Sequence, residues 1–355
     1  MRIHLVAVAG TGMGALAGLL QQLGHEVSGS DVAFHPPMGP ALAAWGIRCL
    51  EGFAAEHLEP PPDRVVIGNV CRRDNVEAVA AFERGLPVMH IAGALQEFVL
   101  NGTSPLVVTG THGKTTTTAL TAYLLDRTGF DPGFLIGGLP MDFERSARPA
   151  RTRTISLPIE SGARPQTSSA GTVRSDGGTP RRTPFVIEGD EYDTAFFEKS
   201  AKFLHYRAEV CVITSIEQDH IDIYPTFADY RRSFERLVEK VPESGLIVAY
   251  AGDETVVEVV RAHARAPVTF YALDEDNPRG VAVHWLGAST PSRREVNEFD
   301  LYAGGVFAGR FSTRMPGKHN ARNALAALAA CAEGFGAPLD RLRGALAQFS
   351  GVARR

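Results

Sequence analysis

Residues 2–9, RIHLVAVA, are apolar with only loose alternation and break at Gly10, which predicts a strand. Leu16, Leu19, Leu20 and Leu23 then recur at helical spacing and stop at Gly24. Residues 26–30 predict a second short strand, followed by Asp31. Val65–Gly68 and Pro87–Ile91 read as further strands with helical stretches between. Such alternation implies a mostly parallel sheet. A second unit begins with an apolar strand at Leu106–Thr109, turns through glycines, and enters a helix carrying Leu120, Tyr123 and Leu124. Further on, Phe185–Glu188 and Val210–Ser215 predict strands, 227–240 an amphipathic helix and Gly245–Ala251 a strand. Residues 267–313 read as β-rich, 319–334 as an Ala-rich helix, and roughly 339–348 as another helix. No internal repeat is visible. The fold class is α/β.

Residues 150–184 interrupt this pattern. They are rich in Arg, Ser, Thr, Gly and Pro, with little apolar periodicity. A segment of that kind buries too little surface to offset its ordering entropy, so it is expected to be a disordered insertion; a basic functional arm is the sharper alternative. Composition adds limits. A chain of 355 residues suggests two or three domains. A net charge of −4 gives no reason to expect nucleic acid or an anionic membrane as partner. Cys49, Cys71, Cys211 and Cys331 are far apart, without metal-ligand or redox spacing, and read as buried thiols of a reducing compartment. No apolar run is long enough to span a bilayer, and MRIHLVAVAG reads as a strand and not as a signal peptide. The cytoplasm is the expected location.

Three stretches carry chemistry. In VVTGTHGKTTTTAL (107–120), Gly113-Lys114-Thr115 matches the right-hand end of a phosphate-binding loop, but Val108 stands where its first glycine belongs. A strand, a glycine turn and a helix start occur in order, so a phosphate chain would meet unpaired helix amides and Lys114, with Thr115 reaching magnesium. The bland alternative is a glycine turn with a solvated lysine. Two more strands run into acidic groups: Glu188-Gly-Asp190-Glu191-Tyr-Asp193, and Glu217-Gln-Asp219-His220-Ile-Asp222. Ligands of parallel sheets sit beyond the carboxyl ends of strands, so both clusters are expected to face the loop and offer magnesium ligands. Spacing does not tell which carboxylate touches metal, and solvated acidic loops are the alternative. Finally, Gly10-Thr-Gly12-Met13-Gly14-Ala15 after a strand, with Asp31 about 20 residues on, fits a diphosphate-binding turn. That turn does not separate a dinucleotide from another nucleotide diphosphate.

Together these stretches resemble the Mur ligases, ATP-dependent amide-forming enzymes of peptidoglycan synthesis. The family's loop reads GT[HN]GKT, as does Gly110–Thr115 here, including the absent first glycine. GTGMG followed by Gly29-Ser30-Asp31 is similar to the UDP-binding region of the UDP-N-acetylmuramate branch. EGDEYDTAFFEKSAKFLHYR (188–207), IEQDHIDIYP (216–225) and GKHNARNALAA (317–327) extend the match. The EYDTAFF…HYR wording, PPMGPAL (36–42) and FLIGGLPMDF (134–143) resemble most the murein peptide ligase subgroup. Its members join UDP-N-acetylmuramate to an L-Ala-γ-D-Glu-meso-diaminopimelate tripeptide; the neighbouring subgroup adds L-alanine.

The resemblance implies a Rossmann-like UDP-binding domain at 1–103, a central P-loop ATPase domain at 104–349, and at 350–355 the start of a hinge to a third, Rossmann-like domain that is missing from this chain. It implies that Gly110, Thr111, His112, Gly113, Lys114, Thr115 and Thr116 bind ATP, with His319, Asn320, Asn323 and Arg355 around the nucleotide. Lys114, Glu188 and His220 would be catalytic. Thr115, Glu188 and His220 would hold magnesium, and Gly10, Gly12, Met13, Gly14, Ser30 and Asp31 would bind UDP. The position of a lysine that is carbamylated in several members is occupied by Glu235, so that modification is not expected. ATP and Mg2+ are the implied cofactors. Two other readings stay open: a module that holds both nucleotides without turnover, and an NAD-dependent oxidoreductase, which leaves the second phosphate loop unexplained.

Overall fold

The computed structural model describes residues 1–151, 182–219, 223–276, 278, 280–289 and 297–353. The N-terminal sheet consists of β1 (Arg2–Val6), β2 (Glu26–Asp31), β3 (Arg48–Glu51), β4 (Arg64–Ile67) and β5 (Val88–His90), all parallel, in the order β3-β2-β1-β4-β5. Helices α1 (Thr11–Gln22), α2 (Met38–Ala44) and α3 (Val76–Glu83) connect them. A short α4 (Ile91–Ala94) runs on into a π-helical turn. The first strand stops at Val6, short of the expected Ala9, because Ala7 takes φ 64°, outside strand geometry.

The second sheet has ten strands. They are β6 (Ser104–Thr109), β7 (Gly133–Leu135), β9 (Ala147–Arg148), β10 (Pro184–Glu188), β13 (Val210–Ile213), β14 (Leu246–Tyr250), β15 (Val268–Leu273), β16 (Trp285–Ser289), β17 (Asn297–Ala303) and β18 (Val306–Thr313). A two-residue β8 (Leu139–Pro140) pairs with β19 (Val352–Ala353), and β11 (Asp193–Ala195) pairs with β12 (Glu198–Ala201). The large sheet runs β18-β17-β16-β15-β14-β13-β6-β10-β7-β9, parallel from β16 to β7 and antiparallel at both ends. Helices α5 (Lys114–Arg127), α6 (Phe227–Lys240), α7 (Glu254–His263), α8 (Lys318–Phe335) and α9 (Leu339–Leu346) cover it.

The central strands β6 and β13 are buried at every position, and largely apolar, because both faces are covered. Alternate residues of β6, β13 and β14 serve opposite cores. Val107, Cys211, Ile213 and Ile247 pack with Tyr230, Phe234, Leu237 and Val256 of α6 and α7. Leu106, Val108, Val212 and Val248 pack with Leu120, Leu124, Leu325 and Leu328 of α5 and α8.

The chain leaves β6 for β7, returns through β10 beside β6, and then crosses to β13 on the other side. Strand order therefore reverses at β6, the position where parallel sheets open a crevice for ligands. Most of the segment expected to be a disordered insertion, 152–181, lies outside the described residues. Its edges do not fit that expectation. Pro184 opens β10, and the buried Thr183 accepts the Ser104 amide at 3.0 Å through its carbonyl. Edge pairing next to β6 holds these residues.

The β11–β12 hairpin is one place where the two halves meet. Phe197 in its turn contacts Phe82 of α3 at 5.8 Å between ring centroids. His90 Nε2 lies 3.1 Å from Glu198 Oε2, and His205 Nε2 lies 3.3 Å from Glu198 Oε1. These three side chains have the chemistry of a metal site, but His90 Nδ1 accepts the Gly93 amide at 3.1 Å. That acceptance puts the ring proton on Nε2, where it is donated to Glu198. The ring is already committed, and the cluster is a hydrogen-bonded clasp between the two halves.

Candidate active site

The glycine loop between β6 and α5 needs its glycines. Gly110 has φ 126°, and a β-carbon there would lie 2.3 Å from Thr214 Oγ1. Gly113 has φ 80°, caps α5, and faces Asn323 Oδ1, 2.6 Å from the place of a β-carbon. The loop is also tied to the segment after β13: Thr111 N–H donates to the Ser215 carbonyl at 3.0 Å, and His112 N–H to Ser215 Oγ at 3.1 Å. Asp253, the N-cap of α7, holds that segment by accepting the Ile216 amide at 2.8 Å.

Register brings the carboxylates alongside. Glu188 pairs with Val108 and Ile213 with Thr109, so the ends of β10 and β13 flank the loop. Thr115 Oγ1 donates to Glu188 Oε1 at 2.9 Å, and the Gly137 amide donates to Glu188 Oε2 at 2.9 Å. Burial raises the Glu188 pKa, opposed by those two donors and by the charge of Lys114. Lys114 Nζ donates to the Gly110 carbonyl at 2.7 Å and to Glu191 Oε1 at 2.8 Å. Glu191 is fully buried, and burial raises its pKa against the pull of Lys114. Asp190 is drawn aside by Lys202 at 2.8 Å. Glu217 stands at the exposed lip, 3.6 Å from His112 Nε2.

The start of α8 closes the other side of the loop. Asn323 is buried against Gly113, and its Nδ2 donates to Asn320 Oδ1 at 3.3 Å; His319 is exposed beside them. Thr116 is half-buried in the first turn of α5. His220, Asp222 and Arg355 lie outside the described residues. Glu235 accepts from Arg231 at 3.0 Å, one turn before it on α6.

At the N-terminal sheet, Gly10 and Gly12 are exposed at the start of α1. Gly14 is buried, and a β-carbon there would lie 2.2 Å from Met38 Sδ, so its task is close packing of α1 on α2. Met13 sits in the core. Asp31 accepts the Ala9 amide at 2.8 Å and lines a cavity of about 240 Å³ with Phe53, Cys71, Arg72 and Asn75. Ser30 is turned away from that cavity: its hydroxyl donates to the buried Glu77, which also receives His4, His57 and the Ala54 amide.

Sequence context does not single out Glu191, Gly137, Tyr230 or Asn75, and marks Cys71 only as a buried thiol. Glu191 was legible as an acid beside Glu188. The others contact the site from far along the chain, with no local signal.

A switch-point crevice with a glycine loop, a half-buried lysine and a threonine–carboxylate pair defines an α/β protein of the phosphate-loop type. A family model described as "Mur ligase middle domain" matches residues 108–331, and one described as "Mur ligase family, catalytic domain" matches residues 2–102. The chain belongs to the Mur ligase family of ATP-dependent amide ligases. It is 34% identical over 355 residues to the UDP-N-acetylmuramate–L-alanyl-gamma-D-glutamyl-meso-2,6-diaminoheptandioate ligase of Escherichia coli K12, covering 100% of this chain and 69% of that one. A crystal structure of the corresponding ligase from Neisseria meningitides superposes with TM-score 0.82 at 36% identity, covering 99% of both chains. The UDP-N-acetylmuramate–L-alanine ligase of Syntrophomonas wolfei is 30% identical, covering 99% of this chain and 66% of that one. Among the described residues, no helix is long and apolar enough to cross a membrane.

Proposed function

We propose that this chain is the nucleotide- and muramate-binding part of a ligase that joins UDP-N-acetylmuramate to L-Ala-γ-D-Glu-meso-diaminopimelate through an acyl phosphate. The observation that carries the reading is the convergence of Lys114, Thr115 and Glu188 at the β6–β10 edge. The murein peptide ligase wording of 188–207 and the two relatives named for the tripeptide reaction support the choice of amine.

Residues 1–103 would hold the UDP group at Gly10, Gly12 and Asp31, and 104–349 would hold ATP. Thr115 and Glu188 fit a magnesium ion: their hard oxygens are adjacent, and the half-buried carboxylate, its pKa raised by desolvation, lacks a full counter-charge. His220 would hold a second magnesium ion. Bound magnesium would draw charge from the transferring phosphoryl group. Lys114 neutralises the phosphate tail, and the amides of 110–115 hold it. The muramoyl carboxylate oxygen attacks the γ-phosphorus as the bond to ADP breaks. The peptide amine then attacks the acyl carbon, phosphate leaves with its oxygen, and the amine gives up a proton. Asn323, Asn320 and His319 would border the base, with Arg355 at the hinge.

The test is to incubate the chain with ATP, Mg2+, UDP-N-acetylmuramate and either tripeptide or L-alanine, measuring ADP and product by mass spectrometry. ADP with the tripeptide adduct is expected, and Lys114→Ala should abolish it. Product with L-alanine alone would move the reading to the alanine-adding reaction. The chain spans 69% of the E. coli relative; a second reading is nucleotide binding without ligation. Binding of both nucleotides with no product would establish it.

A further inference from the structure

The lysine of the phosphate loop is held before any nucleotide arrives. An ammonium has three donors. Lys114 gives one to the Gly110 carbonyl and one to Glu191 Oε1, at 2.7 and 2.8 Å, which leaves one for a phosphate. Both acceptors are fixed. Gly110 is locked by its left-handed backbone against Thr214 and Ser215. Glu191 is fixed from α6 and its approach: Tyr230 Oη donates to the same Oε1 at 3.1 Å, and Tyr224 Oη to the Glu191 carbonyl at 2.7 Å. Glu191 Oε2 is buried and has no hydrogen-bond partner. A buried carboxylate in that state depends on its one counter-cation, and the dependence is mutual.

We infer that Glu191, braced by Tyr230 and Tyr224, is a positioning residue that sets Lys114 in place for the phosphate chain. The inference rests on the ATP-binding reading above. A flexible lysine loses side-chain freedom on capturing a phosphate; here that ordering is done in advance, so binding loses less to it. Glu191 also offsets part of the ammonium charge, so its effects through position and through charge oppose each other. Glutamine separates them: it keeps an oxygen for Lys114 and Tyr230 and removes the charge. Alanine removes both, and aspartate keeps the charge but withdraws the oxygen by one methylene.

The experiment is titration of the chain and its Glu191→Gln, Glu191→Asp and Glu191→Ala variants with Mg·ATP by calorimetry. Alongside it, acetic anhydride labelling of Lys114 without nucleotide is followed by mass spectrometry. Loss of a charged hydrogen bond predicts that Glu191→Ala and Glu191→Asp weaken ATP binding about tenfold or more. Glu191→Gln should bind within about threefold of the parent, or tighter, while Lys114 acetylates several-fold faster in Glu191→Ala. Should alanine not fold, the glutamine and aspartate variants carry the comparison. Glutamine losing as much as aspartate, or aspartate binding like the parent, overturns the positioning role. A parent chain that binds no ATP instead removes the nucleotide reading, and the Glu191–Lys114 pair is then a structural contact only.

Discussion

Single residues here are constrained by backbone geometry as much as by chemistry. Gly113→Ala would place a methyl group 2.6 Å from Asn323 Oδ1 at φ 80°, so the loop or α8 must give way. A loss of about 1–3 kcal/mol in unfolding free energy is expected from such strain, read by urea denaturation, together with loss of ATP binding. Glu77 supplies a pH test. Burial pulls its pKa up, but hydrogen bonds from His4, Ser30 and Ala54 outweigh that and hold it below the ordinary 4.5. A depressed folded pKa adds stability that is complete above the unfolded value and lost as pH falls through the folded one. Glu77→Gln should therefore lower the melting temperature most at neutral pH. The difference from the parent should shrink as pH falls below about 4.5; a difference that grew on acidification would refute the assignment. At this scale the sequence was informative where geometry is local. Gly110, Lys114 and Thr115 lie on one strand–turn–helix, and Glu188 ends a legible strand. Glu191 was visible as an acid but not as the partner of Lys114, because that contact spans 77 positions. Ser30 read as a UDP residue from its neighbourhood to Asp31, but alternation along β2 turns its hydroxyl to Glu77 on the opposite face.

Elements were legible in proportion to their length and periodicity. Helix α6 spans the expected 227–240 because its apolar stripe is strong and Thr226 caps it through the Asp229 amide. Strands β3 and β7, of four and three residues, carry too few positions to show a period. Caps also tie elements together. Asp253 accepts Val256 N–H with Oδ1, capping α7, and Ile216 N–H with Oδ2, anchoring the segment after β13. Asp253→Ala should cost about 1–2 kcal/mol, the upper part of the usual range for a lost cap because two amides lose their acceptor. Hydrogen exchange should then rise at both Val256 and Ile216. Faster exchange at Val256 alone would mean that the two contacts are independent.

For the whole molecule, the sequence indicated two units of alternating strand and helix, but not the order β10-β6-β13, which depends on crossovers that leave no local trace. Nor did it show how the halves join. The β11–β12 hairpin contributes to this through Phe197 on Phe82 and Glu198 between His90 and His205, beside Arg145 over Trp45 and a core shared by both halves. A double change of Phe197→Ser and Glu198→Ala should split a single calorimetric unfolding peak into two, the earlier one assigned by hydrogen exchange. One unchanged peak would show that other contacts dominate the junction. The small β8–β19 pair sits just beyond β7, where the Gly137 amide holds Glu188. A β-carbon at Gly138 would lie 2.8 Å from Val352 Cγ1 and 2.9 Å from Thr115 Cγ2. The last described strand is thus a wall of the cradle that positions Thr115. A fluorophore attached at Ala353 would serve as a built-in gauge: its emission should respond when the crevice fills, with no label on the nucleotide.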